Sequence, residues 1–294
     1  MRRIINMTPI LEIKNLRKDF KGFSLKDINL SLERGFIMGF IGPNGAGKST
    51  TIKLILNLME RDRGEINVFG KDNIKNEIEV KNKIGFVLDE NHYYEEITIK
   101  EMKRIIAPFY KQWDDGVFNK YVKDFGLPID RKIKELSKGM KMKFSLAVAL
   151  SHNAELLIMD EPTSGLDPVV RSELLDILSD LMQDENKGVF FSTHITSDLD
   201  KIADYITFIN NGEIVFSTTK DDILDNFGLV KGPKELIFDN NLYEFVGMRE
   251  NQYGFEALVQ DKEKFKKLYG NKVVIEKPTL EDIMVYYTRR DKNA

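Results

Sequence analysis

The sequence has no cysteine, no surplus of one charge and no long apolar run. Without cysteine there is no disulfide and no thiolate metal site, an absence compatible with a cytosolic protein. Basic and acidic residues nearly balance, 44 against 47, which gives no support for a chain-wide nucleic-acid surface, and no nucleic-acid partner is expected. No stretch reaches the length that crosses a bilayer, so a membrane role requires a partner. The opening Met1-Arg2-Arg3-Ile4-Ile5 is basic and then apolar, but Asn6, Thr8 and Pro9 break it too early for a signal peptide. Repeats and low-complexity segments are also missing. What remains is 294 residues, 42% apolar, enough for one large domain or one domain with an appendage.

The stretch Gly42-Pro43-Asn44-Gly45-Ala46-Gly47-Lys48-Ser49-Thr50 meets G-x-x-x-x-G-K-[ST] at every fixed position. Ahead of it, residues 35–41 read as a short buried strand. Behind it, Ser49 to Met59 carries Ile52, Ile55, Leu56 and Met59 at helical spacing. Strand, glycine loop and helix form the context that a phosphate cradle requires. Glycines let backbone N–H groups turn inward around phosphate oxygens, and the helix N-terminus faces the same anion. Lys48 then reaches the β- and γ-phosphates, and the Ser49 hydroxyl can ligate Mg²⁺.

The remaining pattern sets the fold class. Residues 10–16 and 23–32 alternate like strands of a small antiparallel sheet, joined by an exposed turn at 18–22 that carries Phe20. Strands at 64–70, 84–88, 156–160, 189–193, 205–209 and 213–217 alternate with helices, and Asn211-Gly212 marks a hairpin. Alternation of this kind implies a parallel sheet with right-handed crossovers. Residues 98–111 and 114–125 predict two helices, and Ser137 opens a third. The aromatics His92, Tyr93, Tyr94, Phe109, Tyr110 and Trp113 are expected in the core of this region. The expected class is α/β: a P-loop NTPase with a mainly parallel sheet, a small antiparallel β subdomain, a helical insert and a C-terminal α+β appendage. The division is 1–226, with the insert at about 89–151, and 227–294.

Asp160-Glu161 follows an uninterrupted apolar strand. In a nucleotide site the first acid holds the Mg²⁺ shell. A carboxylate one residue on can orient and deprotonate the attacking water. Taken alone, such a pair is an ordinary loop or cap, as Ser-x-Gly before a helix is an ordinary cap and a histidine after a strand is structural.

Four segments occur together and in order: Gly42–Thr50, 136–140, 160–167 and Ser192-Thr193-His194. Jointly, over about residues 10–220, they resemble the nucleotide-binding subunit of an ATP-binding cassette (ABC) transporter. The resemblance implies ATP and Mg²⁺ as cofactors. It implies that Ser137, Gly139 and Met140 belong to a signature segment contacting ATP on the opposite subunit, that Asp167 crosses between subunits, and that His194 bonds the γ-phosphate. Phe20 sits where the family places an aromatic against adenine, a core or rim role being the alternative. Three positions depart from the family: Asp89 stands where glutamine is common, and Lys138 and Met140 where glycine and glutamine are common. Asp89 can join the Mg²⁺ shell or sense the γ-phosphate, though its reach is shorter.

The resemblance therefore implies an ATPase with Lys48, Glu161 and His194 in catalysis. It pairs with a second ATPase subunit, two identical sites being favoured, and with an integral membrane permease docked on the helical insert. Its place is the cytoplasmic face of the membrane. One cassette, no membrane segment and an α+β tail are most similar to two-component ABC-2-type exporters of antimicrobial or amphipathic peptides, including phenol-soluble modulins. The alternatives are a soluble cassette ATPase acting on ribosomes or DNA, and a non-hydrolysing regulatory cassette.

Overall fold

The computed structural model describes residues 8–89, 93–238 and 245–290. Its centre is a six-stranded sheet in the order β10-β9-β3-β8-β7-β6, built from β3 (Ile37–Ile41), β6 (Ile84–Val87), β7 (Leu156–Asp160), β8 (Gly188–Thr193), β9 (Tyr205–Asn210) and β10 (Glu213–Thr219). All neighbours are parallel except β9 and β10, the Asn211-Gly212 hairpin. Both turn residues have positive φ, 46° and 76°, as a two-residue hairpin demands.

Strands β3, β7 and β8 are buried along their whole length, as sheets covered on both faces require. On one face, Met38, Phe40, Ile158 and Phe190 join a core with β1 (Leu11–Phe20), β2 (Phe23–Leu32), β4 (Arg63–Val68) and helix α1 (Lys48–Ile55). The antiparallel sheet here runs β2-β1-β4-β5, with β5 at Lys71–Asp72. On the other face, Ile37, Ile41, Met159 and Phe191 meet α5 (Lys138–Leu150), α6 (Pro168–Leu181) and α7 (Thr196–Ile202). The helical insert holds α3 (Ile99–Ile106) and α4 (Asp115–Asp124), which pack with α5 around Phe118 and Phe144. The short α2 (Glu77–Lys81) precedes β6.

The C-terminal region forms a third, antiparallel sheet, β12-β13-β11-β14, with helices α9 (Lys262–Tyr269) and α10 (Leu280–Arg290). Its strands are β11 (Gly228–Gly232), β12 (Gly247–Asn251), β13 (Gly254–Val259) and β14 (Val274–Glu276). It has a small core of its own around Phe255 and Phe265. It also shares the main core: Tyr287 lies 5.5 Å from Phe208 and 5.8 Å from Phe216, ring to ring. The connecting α8 (Lys220–Asn226) is capped by Thr219.

Several details differ from the sequence reading, including the helix expected over 98–111, which ends at Ile106. Strand β1 runs on to Phe20, so the turn shrinks to residues 21–22. Helix α1 stops at Ile55 rather than near 59, and Asn57 beyond it takes φ 49°. Strand β6 is parallel but lies at the sheet edge, leaving Phe86 44% exposed. Among the insert aromatics, Tyr93 and Trp113 pack against the insert core, whereas Tyr94 and Phe109 are exposed. His92 lies outside the described residues.

Candidate nucleotide site

The register of the parallel sheet gathers three strand ends. Ile41 of β3 pairs with Thr193 of β8, and Asp160 of β7 pairs with Ser192. The glycine loop, the acid pair and His194 therefore leave adjacent strands at one level, the carboxyl edge where open α/β sheets bind ligands.

The loop from Gly42 to Gly47 packs tightly. A Cβ on Gly42 would sit 2.2 Å from the Ile209 carbonyl oxygen, and one on Gly47 2.5 Å from Leu25 Cδ2. Gly47 also holds φ at 113°, open to glycine and costly for any other residue. It precedes α1 without a side-chain cap, so the first N–H groups of that helix are left to an anion. Pro43 is half-buried, Asn44 and Gly45 are exposed, and Ala46 is buried. Ser49 is exposed on the first turn and Thr50 half-buried.

Lys48 is 6% exposed. Its Nζ donates to Gly42 O at 2.8 Å and Pro43 O at 3.3 Å, and lies 3.3 Å from Glu161 Oε1. Glu161 Oε2 accepts from His194 N at 3.2 Å and meets His194 Nδ1 at 2.8 Å. An ionised carboxylate only accepts, so Nδ1 carries the proton. Glu161 itself takes φ 49° and ties its N–H to Ser192 O at 2.9 Å. Left-handed backbone in a residue other than glycine is strained, and here it aims a carboxylate between a lysine and a histidine.

Asp160 is buried, and its Oδ1 has no hydrogen-bond partner. Burial raises its pKa above the usual aspartate value, with Ser49, Ser192 and the Lys48 charge pulling the other way. A buried, under-partnered carboxylate oxygen beside a serine hydroxyl is a hard-oxygen donor set. It fits Mg²⁺, which takes one or two carboxylates and completes its shell with phosphate and water.

The remaining expected residues make contacts of their own. Ser137 caps α5, accepting from Met140 N at 3.2 Å, and Met140 borders the insert core. Gly139 lies along Val170 of α6. Asp167 caps its own helix, accepting from Val169 N and Val170 N at 3.0 and 3.1 Å. Among the described residues, no hydrogen bond or ion pair joins Ser137, Gly139 or Met140 to the cradle. Asp89, a candidate for the Mg²⁺ shell, has another neighbour: its Oδ1 lies 3.2 Å from Lys138 Nζ. Two of the departures from the family pattern thus meet each other.

Phe20 is 40% exposed and stacks on Phe23 at 6.2 Å. Phe23 in turn presses on Gly47, where an added Cβ would lie 3.2 Å from Cζ. Phe23 was missed from the sequence. Its apolar place in an alternating strand concealed that it links the outer ring to the loop.

A phosphate loop, an acid pair whose Asp160 is buried and a histidine at the carboxyl edge of a mainly parallel sheet define a P-loop nucleoside triphosphatase fold. Residues 25–164 match the ABC transporter family. The chain is 32% identical to the bacitracin transport ATP-binding protein BcrA of Bacillus licheniformis, over 73% of this chain and 69% of that protein. It is 31% identical to the lantibiotic transport ATP-binding protein SrtF of Streptococcus pyogenes, over 72% and 92%. A solved ATP-binding subunit of an ABC transporter superposes with a TM-score of 0.67 at 30% identity, over 74% of this chain and 92% of that one. CbiO1 of Clostridium perfringens, at 24% identity and TM-score 0.64, shares the fold. The chain belongs to the family of ABC transporter ATP-binding subunits. Membership implies, in general terms, ATP binding and hydrolysis with Mg²⁺ and work alongside a membrane permease. Among the described residues no helix is long and apolar enough to cross a membrane.

Proposed function

We propose that the chain is the ATPase of a two-component peptide exporter, closing head-to-tail on a second copy with two ATP molecules between them. The observation that carries this is the contact chain Lys48–Glu161–His194 beside buried Asp160. In this reading Lys48 exchanges the Gly42 and Pro43 carbonyls for β- and γ-phosphate oxygens. Its departure frees Glu161 Oε1 to take a proton from the attacking water. His194, fixed through Nδ1, positions the γ-phosphate through Nε2. Ser49 and Asp160 would hold Mg²⁺, which when bound spreads the charge of the phosphate oxygens. Phe20 offers a ring face to adenine. Ser137, Gly139 and Met140 of one copy, with Asp167, face the nucleotide of the other. ATP favours the closed pair by its differential affinity, and hydrolysis releases it.

The permease has a candidate seat. A cavity of about 290 Å³ lies between β6, α3 and α5, lined by Phe86, Leu88, Tyr93, Ile106, Phe109 and Tyr110 among others. Tyr110 stacks at 3.8 Å on His152, which is fully buried. An apolar groove with a rigid floor suits a short amphipathic helix, and docking there holds the subunit at the cytoplasmic face. Residues 1–226 form the ATPase unit in this reading and 227–294 the accessory region. Amphipathic or antimicrobial peptides are the proposed cargo, in keeping with the names of the bacitracin and lantibiotic relatives.

Glu161→Gln tests the engine. Phosphate release should fall by about 10²–10⁴-fold while ATP is retained and a closed dimer accumulates on size exclusion. Wild-type turnover in that variant removes Glu161 as the base.

A further inference from the structure

Two helices leave the nucleotide edge side by side, α6 behind Asp167 and α7 behind His194. They are joined by a charge pair that the cradle does not use. Arg171 Nε donates to Asp198 Oδ1, and Arg171 Nη2 donates to Ser197 Oγ at 2.8 Å. Asp198 is 1% exposed, and its Oδ2 has no hydrogen-bond partner. A buried carboxylate with one oxygen unpaired depends heavily on its single cation.

The two helices are anchored unequally. Helix α7 sits flush on the sheet, Leu199 filling the space above Gly39 so closely that a Cβ there would lie 2.5 Å from Leu199 Cδ1. The first turn of α6 is held more lightly. Val169 is 67% exposed, Val170 is half-buried along Gly139, and Leu174 is the first fully buried side chain of the helix. Arg171 fastens this light turn to the anchored one.

We infer that Arg171 and Asp198 are a positioning pair for nucleotide hydrolysis. The inference rests on the proposed function and adds two residues to its machinery. Neither is placed on the nucleotide. The forked guanidinium fixes the start of α6, and with it Asp167 and the Gly139–Val170 contact, relative to the helix that follows His194. Gly139 belongs to the segment assigned to the partner's nucleotide and His194 to the chain's own, so one clamp relates the two halves of the engine.

Steady-state ATP turnover of the full chain tests this, with Asp198→Asn and Arg171→Lys. Asp198→Asn should lower kcat about tenfold with KM for ATP held within about twofold, because a misplacement near 1 Å slows chemistry without removing binding. Arg171→Lys keeps the charge without the fork and should recover part of that loss. Melting temperature is read alongside. Unchanged kcat in both variants overturns the pair, as does a joint change in kcat, KM and melting temperature, which marks a merely structural contact. A wild-type chain without turnover refutes the proposed function and this inference together, whereas active wild type with unaffected variants refutes the pair alone.

Discussion

Helices α1 and α5 both begin at a glycine-bearing segment assigned to phosphate, yet they treat polar groups in opposite ways. The start of α1 has no side-chain cap and is surrounded by buried charge: Lys48 at 6% and Asp160 at 7% exposure, with the Glu161 side chain at 12%. The start of α5 is capped by Ser137, and its charges, Lys138 and Asp89, lie half in water. At the first, Asp160 Oδ1 is buried without a hydrogen-bond partner, the place that the proposed function gives to the nucleotide's cation. The second is content as it stands and offers only close backbone approach and a loose cation. In the proposed function the first helix binds and the second meets a partner, and the two differ in where the unpaired group lies.

Asp160→Asn is the most severe way to break this contrast, because its two effects have opposite signs. Turnover should fall on the order of 100-fold or more, through loss of an anionic ligand at the developing charge. Stability without nucleotide should rise. Burial raises the Asp160 pKa, so its favourable term is present below the usual aspartate value and is lost as pH climbs through the raised one. At neutral pH the ionised carboxylate opposes folding, and asparagine removes that penalty. The expected outcome is therefore a raised Tm without nucleotide. Thermal melts without nucleotide check it, and a lowered Tm contradicts the stored-charge account.

Ser137→Ala probes the other helix and should act more mildly. Loss of the cap costs about 1 kcal/mol, felt in α5 and in closure with the partner. Binding of ATP to the isolated subunit, measured by fluorescent-analogue titration, should stay within about twofold, because in the proposed dimer the cap serves the partner's nucleotide. Dimer capture in the Glu161→Gln background should weaken by up to about tenfold, the equivalent of 1.4 kcal/mol. A matching loss of monomer affinity would place Ser137 in its own chain's cradle.

The same contrast explains what was legible in the sequence. Gly42–Thr50 stands out because its strand, glycine loop and helix are contiguous, whereas Asp160-Glu161 gains meaning only beside that loop. The sheet was legible for a similar reason, through apolar runs and turn residues read locally. Contacts between distant positions were not. Arg171 and Asp198 stand 27 residues apart, and nothing in either segment names the other. Phe216, Phe227 and Tyr287 read as separate apolar residues, yet they stitch the tail to the main core. Phe109 and Tyr94 look like core aromatics, and the fold turns them outward because the insert core is already filled by Phe118 and Phe144.

Asp89 gives the smallest effect and the sharpest choice. If it belongs to the Mg²⁺ shell, it is part of the buried, unsatisfied half of the site. Its observed partner is Lys138, with side chains 47% and 50% exposed, which sets it on the water-facing half. An exposed pair of this kind contributes about 0–1 kcal/mol, so Asp89→Asn should shift stability by no more than that. If Asp89 stays with Lys138, the Mg²⁺ concentration for half-maximal turnover should likewise move less than about twofold. Raised salt should shrink the already small stability difference, because screening acts on exposed charges first. A Mg²⁺ requirement raised about tenfold, the equivalent of 1.4 kcal/mol at the ion, would return Asp89 to the shell and make its contact with Lys138 one of two states.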